Sequence, residues 1–227
     1  MKLVLERVES GRTALYLKPT QPKDVVAFPR ALLLDGRVDS APPDRLWTSA
    51  ALFFGPRLRA REMEAPLITP LMEAAIKDFH PEVRSSGFRS TANALQSTGQ
   101  GNTFVLERED SDAVPVQRDN GGRVVGLRFL PMPNFVGGLF SMSRTVMATN
   151  AVSPGGVLRV SDLAPAIAAA VLMAADFAVD HLVIPVGGLR REQEWEYRLE
   201  TLLENCSIAV DFVGGDSRVY SSQEEVK

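Results

Sequence analysis

Two glycine pairs occupy the places in this sequence where ligand chemistry is best supported. Gly187-Gly188 follows the apolar run His181 to Val186 and leads into a helix predicted from about Arg190. Gly214-Gly215, with Asp216, Ser217 and Arg218 behind it, follows the apolar run Ser207 to Val213. Glycine lets main-chain amides approach an anion closely, and a helix N-terminus adds a favourable dipole. Arg190 or Arg191 could then neutralise a phosphate or carboxylate. The ligand-binding set read from this pattern is Gly187, Gly188, Arg190, Gly214, Gly215, Asp216 and Ser217. Any reaction there would rest on main-chain amides and arginine, not on histidine or a metal. The same glycines also serve a purely structural reading, as tight turns of the kind every α/β domain has.

Two further stretches carry polar groups. Residues 84–102 are rich in Ser, Thr, Gly, Gln and Asn and include Arg84, Arg89, Asn93 and Asn102, enough to orient a small polar ligand or to form a solvated loop. Gly137-Gly138 followed by Ser141, Ser143 and Arg144 is a third and weaker candidate. Arg57, Arg59, Arg61 and Arg84 would be the cationic patch of a nucleic-acid reading, but a solvated loop accounts for them better. Nucleic acid is therefore not an expected partner.

Several chemistries find no support. The two histidines, His80 and His181, sit before a proline and at the head of an apolar run. Both positions suit structural roles, since a general base needs a placed partner. No spacing of His, Cys, Asp or Glu resembles a zinc site. The chain lacks G-x-x-x-x-G-K-[ST], G-x-G-x-x-G and G-x-S-x-G, so no motif implies a cofactor or fixes a catalytic residue. Cys206 falls at a helix C-terminus, where the dipole opposes a thiolate, and is expected to be structural.

The elements that must position these residues are clearest in the last third. Ser161 or Asp162 caps a helix expected to run to about Ala178, apolar nearly all round and therefore buried on more than one side. His181 to Val186 has the continuous apolar character of a sheet-centre strand. Residues 190–205 form an amphipathic helix with Trp195, Leu199, Leu202 and Leu203 on its stripe, and 207–213 form another strand. Strand, helix, strand with short connections implies a parallel pair.

Upstream the pattern is β-rich. Leu3 to Val8 and Thr13 to Leu17 predict a hairpin turning at Gly11, and Val25 to Leu34 is a run broken by Pro29. Asp44 is expected to cap a helix ending at Gly55-Pro56, and Thr69-Pro70 starts a second that stops at His80-Pro81. Thr103 to Glu107 and Arg144 to Ala148 read as strands. Val114 to Arg118 and Arg123 to Leu130 are expected to pair as a hairpin across Asp119-Asn120-Gly121-Gly122.

These elements predict a mixed-sheet α/β fold, with antiparallel hairpins in the N-terminal and middle parts and a parallel βαβ-type C-terminal unit with helices on both faces. No linker divides the 227 residues, so one domain is expected. It would have a β-rich part over about 1–130, an α/β unit over about 157–215 and a frayed tail at 221–227. A formal charge of −3, a single cysteine and no apolar stretch long enough for a membrane point to a cytoplasmic protein with no membrane partner.

The run from Asp162 to Val213, with Leu182-Val183-Ile184-Pro185-Val186-Gly187-Gly188 at its centre, resembles the closing half of a macro domain. There an apolar strand leads into a glycine loop that holds an ADP-ribose phosphate. The run is also similar to class I glutamine amidotransferase-type folds, where a strand ends in Pro-Gly-Gly. Here Val186 separates Pro185 from the glycines, the second strand ends Phe212-Val213-Gly214 without a nucleophile cysteine, and no asparagine-rich signature is present. The expected function is binding of a nucleotide-like or other anionic small molecule at the glycine loops, with hydrolase or transferase activity left open. The alternative is a non-catalytic assembly subunit with a protein partner or a homo-oligomeric state.

Overall fold

The computed structural model describes residues 2–8, 11–20, 30–39, 41–55, 58, 68–81, 101–108, 122–132, 134–141, 143–152 and 156–214. Among them, nine strands form one sheet: β1 (Lys2–Arg7), β2 (Thr13–Lys18), β3 (Ala31–Leu34), β4 (Asn102–Glu107), β5 (Val124–Pro131), β6 (Gly138–Phe140), β7 (Arg144–Thr149), β8 (Val179–Pro185) and β9 (Ala209–Val213). Four α-helices accompany it: α1 (Pro43–Phe54), α2 (Pro70–Phe79), α3 (Ala164–Met173) and α4 (Gln193–Glu204). A 3-10 turn, Val160–Leu163, leads into α3.

The strand order is β1-β2-β3-β7-β5-β4-β8-β9, with β6 paired to β7 beside that path. β1, β2 and β3 are antiparallel, whereas β7, β5, β4, β8 and β9 run parallel. This is the mixed α/β fold that the pattern predicts. The first hairpin pairs Lys2 with Lys18 through Arg7 with Thr13, and Gly11 at its end has φ +78°.

The middle of the sheet departs from the expected pairing. β5 has a parallel neighbour on each edge, β4 against Val124–Arg128 and β7 against Gly126–Pro131. It is therefore not one arm of a hairpin with 114–118, a segment outside the described residues. Alternation marks a strand but says nothing of which strand lies beside it. The antiparallel hairpin of this region is β6 with β7, pairing Gly138 with Met147.

Register carries one apolar face across the whole sheet, because residues opposite each other project to the same side. Leu15 faces Leu32, Leu127 faces Leu106, Val125 faces Phe104, and Leu182 lies between Phe104 and Val210. All are buried in one cluster that also takes Trp47 of α1, Ile76 of α2, Val171 of α3 and Leu199 of α4. The crossovers from β7 to β8 and from β8 to β9 step the same way along the sheet. Right-handed connections then put α3 and α4 on the same side, so the C-terminal unit does not carry helices on both faces as the pattern predicts. Helix α1 packs on α3, and α2 packs on α4.

Element ends follow local chemistry. Pro42 occupies the N-cap of α1 and Pro43 its first turn, so Asp44 is not the cap. Asp44 lies buried inside the first turn and accepts the Thr69 amide at 3.4 Å. Thr69 caps α2 as expected, its hydroxyl accepting Met72 N–H at 3.2 Å. Helix α3 stops at Met173, short of Ala178, where φ is +51° and the chain turns into β8. Helix α4 starts at Gln193, because Arg190 is held outside it in a main-chain bridge to Arg159. Arg45, fully buried, donates to Val179 O at 2.8 Å and Cys206 O at 3.4 Å, tying α1 to the start of β8 and the end of α4. No described helix is long and apolar enough to cross a membrane.

Candidate functional site

The two glycine loops lie side by side at the C-terminal ends of β8 and β9. Val186 N–H donates to Val213 O at 2.8 Å, and a Cβ on Gly214, at φ +95°, would stand 3.1 Å from Gly187 N. Arg108, just past β4, donates Nη1 to Gly187 O at 3.0 Å and to Pro185 O at 3.4 Å. Main-chain carbonyls of the first loop therefore meet a guanidinium from the neighbouring strand. Gly188 has φ +75°, and Leu189 N–H closes the turn onto Val186 O. Arg190 is exposed, and its main chain pairs with Leu158 O and Val160 N–H. The amide end of α4 is engaged from within the chain. Glu192 N–H donates to Glu196 Oε1 at 3.0 Å, Arg191 Nε donates to the same carboxylate at 2.8 Å, and the Glu192 carboxylate accepts Ser161 N–H. Gly215, Asp216 and Ser217 lie outside the described residues, as do Arg57, Arg59, Arg61 and residues 84–100.

Beside this packed corner a cavity of about 840 Å³ opens over the tips of β4 and β5 and the chain that follows β7. Leu106, Leu127 and Phe129 face it from the strands, and Leu52 from α1. Ser161, Asp162 and the first residues of α3 form another wall, and Phe135, Val157 and Leu158 stand at the mouth. The polar residues of its lining are Glu107, Arg108, Arg128, Asn134, Ser161 and Asp162, with Glu107 and Arg128 on the sheet face opposite Leu106 and Leu127. Both carboxylates have partners. Glu107 accepts Arg144 Nε at 2.8 Å, and Asp162 accepts Leu158 N–H at 3.1 Å and Arg159 N–H at 2.9 Å. Gly126 makes the first pairing possible, because a Cβ there would fall on the Glu107 carboxylate.

Its size suits a small molecule. Ligand sites are concave, mostly apolar and fixed by a few placed polar groups. In open parallel sheets they lie beyond the strand C-termini. Arg108 belongs both to this cavity and to the contacts of the Gly187 loop, so the sequence-derived glycines adjoin the space without lining it. Sequence reasoning missed Arg108 and Arg128. The signal available for Arg108 was its place just past the carboxyl end of β4, the same rule that selected Gly187; Arg128 lies three residues before the end of β5.

Two residues past Phe135 the chain is latched to the turn after β3. Asp35 accepts the Gly137 amide and Arg12 Nε, the latter at 3.2 Å. The Gly137 bond first, then Arg12, keeps the Asp35 carboxyl below its ordinary range against the pull of burial. Gly137, with φ +93°, and Gly138 thus lead into the β6–β7 hairpin, whose turn is closed by Ser141 and Arg144.

A second constellation spans three adjacent strands. His181 places Nε2 2.8 Å from Asp211 Oδ2 and Nδ1 3.3 Å from Thr103 Oγ1. A nucleophile–base array needs an accessible hydroxyl. Here Thr103 is fully buried and Asp211 faces solvent, so the arrangement locks β4, β8 and β9 together. His80 Nε2 lies 2.9 Å from Ala51 O, joining the end of α2 to α1. Complete burial pushes the Cys206 thiol up to about 12, with Arg45 opposing, so it is not a ready nucleophile. Among the described residues, no three His, Cys, Asp or Glu are placed to hold a metal ion. Comparison of the chain with protein-family models, curated proteins and solved structures gives no match.

Proposed function

We propose that the protein binds an anionic small molecule in the cavity over the tips of β4 and β5. The observation that carries this reading is the presence of two arginines, Arg108 and Arg128, in the lining of one cavity of about 840 Å³. Guanidinium groups bind carboxylate and phosphate by two parallel hydrogen bonds, and apolar surroundings strengthen that attraction. The first turn of α3, on the facing wall, adds the positive end of a helix dipole. The Gly187-Gly188 loop and Arg190 support the site from behind, through Arg108 and through the bridge to Leu158–Val160. The test is a thermal-shift panel of nucleotides, sugar phosphates and alkyl carboxylates on the wild type and on Arg128→Gln. A ligand that binds only the folded state raises its stability in proportion to log concentration above Kd. The expected result is a shift with at least one anion that shrinks in Arg128→Gln. Absence of any shift across the panel would remove the reading.

A second reading, an assembly subunit, is favoured by one observation. Of the seven large apolar side chains exposed among the described residues, four (Phe135, Val136, Leu139 and Phe140) fall in one short segment. Contiguous exposed apolar surface marks interaction sites. Light scattering that shows a strict monomer without a copurifying partner would count against this reading.

A further inference from the structure

Among the described residues, three strands have a neighbour on one side only: β1 and β9, which end the strand order, and β6, which lies beside it. Charge on such an edge guards it against pairing with other chains. β1 carries exposed Lys2, Glu6 and Arg7, and β9 carries exposed Asp211. β6 has no such guard. Gly138, Leu139 and Phe140 are all exposed, and no charged residue stands between Arg128 and Arg144. Apolar surface adjoins this edge, with Val136 82% and Leu139 68% exposed. Resting on the assembly reading above, we propose that β6 pairs with β6 of a second copy of this chain, as antiparallel strands related by a two-fold axis at Leu139.

Hydrogen-bond phase selects this register. Ser141 N–H donates to Arg144 O, and Ala148 N–H donates to Gly137 O, so the odd-numbered residues of the hairpin exchange bonds with β7. Leu139 then turns its main chain inward to Val146, while Gly138 and Phe140 turn theirs outward to solvent. In the two-fold pair, Gly138 of each copy bonds with Phe140 of the other, and the two Leu139 side chains stand opposite each other. The occupant follows from the same pairing. Opposed residues project to one face, so each Phe140 ring has a neighbour set by the partner strand. An image of β6 supplies glycine there, and an aromatic ring packs well over a cross-strand glycine. A foreign strand with a side chain at that place would press on the ring. Two neutral edges also meet without like charges opposed. The exposed side chains of Phe135, Val136, Leu139 and Phe140 offer roughly half of the 800 Å² that a standard interface takes from each partner. The dimer is therefore reversible, with Kd on the order of 10 μM.

The experiment is sedimentation velocity of the full chain across about 1–200 μM, on wild type and on Leu139→Lys, a change at an exposed side chain. The expected result is a reversible monomer–dimer equilibrium in wild type, weakened by about tenfold or more in Leu139→Lys with the unfolding midpoint unchanged. Single cysteines read the register. Opposed residues at a position without hydrogen bonds lie about 4.5 Å apart at Cα, within disulfide reach. The native Cys206 is buried and does not compete. Leu139→Cys should therefore give a covalent dimer under diamide, whereas Val136→Cys, more exposed but three residues from the axis, should not. A monomer across the whole concentration range would overturn the self-pairing and leave the assembly reading to a foreign partner. A dimer that tolerates Leu139→Lys, fails to cross-link through Leu139→Cys, or cross-links as readily through Val136→Cys would place the contact elsewhere and overturn it too.

Discussion

The C-terminal edge of the parallel strands contains two neighbouring regions built alike and finished differently. At β8 and β9 the strand tips are closed: the loops touch at Gly187 and Gly214, Arg108 covers the carbonyls, and the head of α4 is met by Glu196. At β4 and β5, one strand away, the tips stand open on a cavity. Both regions obey the rule that sites lie beyond strand C-termini. What separates them is where the next segment goes. After β8 the chain turns at Gly188 and pairs at once with Leu158–Val160, so little space remains. Around β5 and β7 the walls come from α1 and α3, which stand back from the tips.

The contrast can be broken by substitution. Leu182 sits in the packed region and Leu127 in the cavity wall, both almost fully buried. Leu182→Ala should leave a sealed void and lose about 3–5 kcal/mol, whereas Leu127→Ala should only widen an existing space and lose about 2–3 kcal/mol. Denaturant unfolding measures both, and equal losses would mean that the two corners are packed alike. A smaller effect sharpens the picture within the closed corner. Gly214→Ala combines a left-handed backbone with a 3.1 Å approach to Gly187 N and should lose about 2 kcal/mol. Gly188→Ala, equally left-handed but facing open space, should lose about 1 kcal/mol. If the order were reversed, the loops would not be pressed together in solution.

The smallest expected effect concerns the open corner and its latch. Asp35 titrates below its ordinary range in the folded state, chiefly through the Gly137 amide and then Arg12. A depressed carboxyl stabilises the fold above its unfolded value of about 3.9, and that contribution disappears as pH falls through the folded value. Wild type should therefore lose latch stability in acid below about pH 4. Asp35→Asn should lose about 1 kcal/mol at neutral pH and show a flatter acid limb. Unfolding midpoints across pH decide the matter, and parallel limbs for the two proteins would show that the carboxylate does not hold Gly137.

How much of this was legible in the sequence depended on how local each signal was. The first hairpin, the Thr69 cap and the order of α3, β8, α4 and β9 came from periodicity and end residues, which act within one element. The hairpin assigned to residues 123–130 failed because a strong turn signal, Asn120-Gly121, suggested a partner, while tertiary pairing gave β5 two parallel ones. The helix faces follow from the direction in which each crossover steps, which no hydrophobic pattern encodes. The cavity was illegible for a related reason. Arg108, Arg128, Leu52 and Ser161 are far apart in the chain, and only the placement of β4 between β5 and β8 assembles them. Arg190 was placed in a helix start by its spacing, but a single bridge to Arg159 moved that start to Gln193.

That placement of β4 also bears on synthesis. As the polypeptide leaves the ribosome, Asn102–Glu107 can find β5 soon after it is made, but its other edge has no neighbour until Val179–Pro185 emerges. Phe104, Val105 and Leu106 would meanwhile border an open row of amides and carbonyls, the kind of edge that recruits foreign strands. Truncation before β8 should therefore yield insoluble chains, and chaperone dependence should fall once β8 is added.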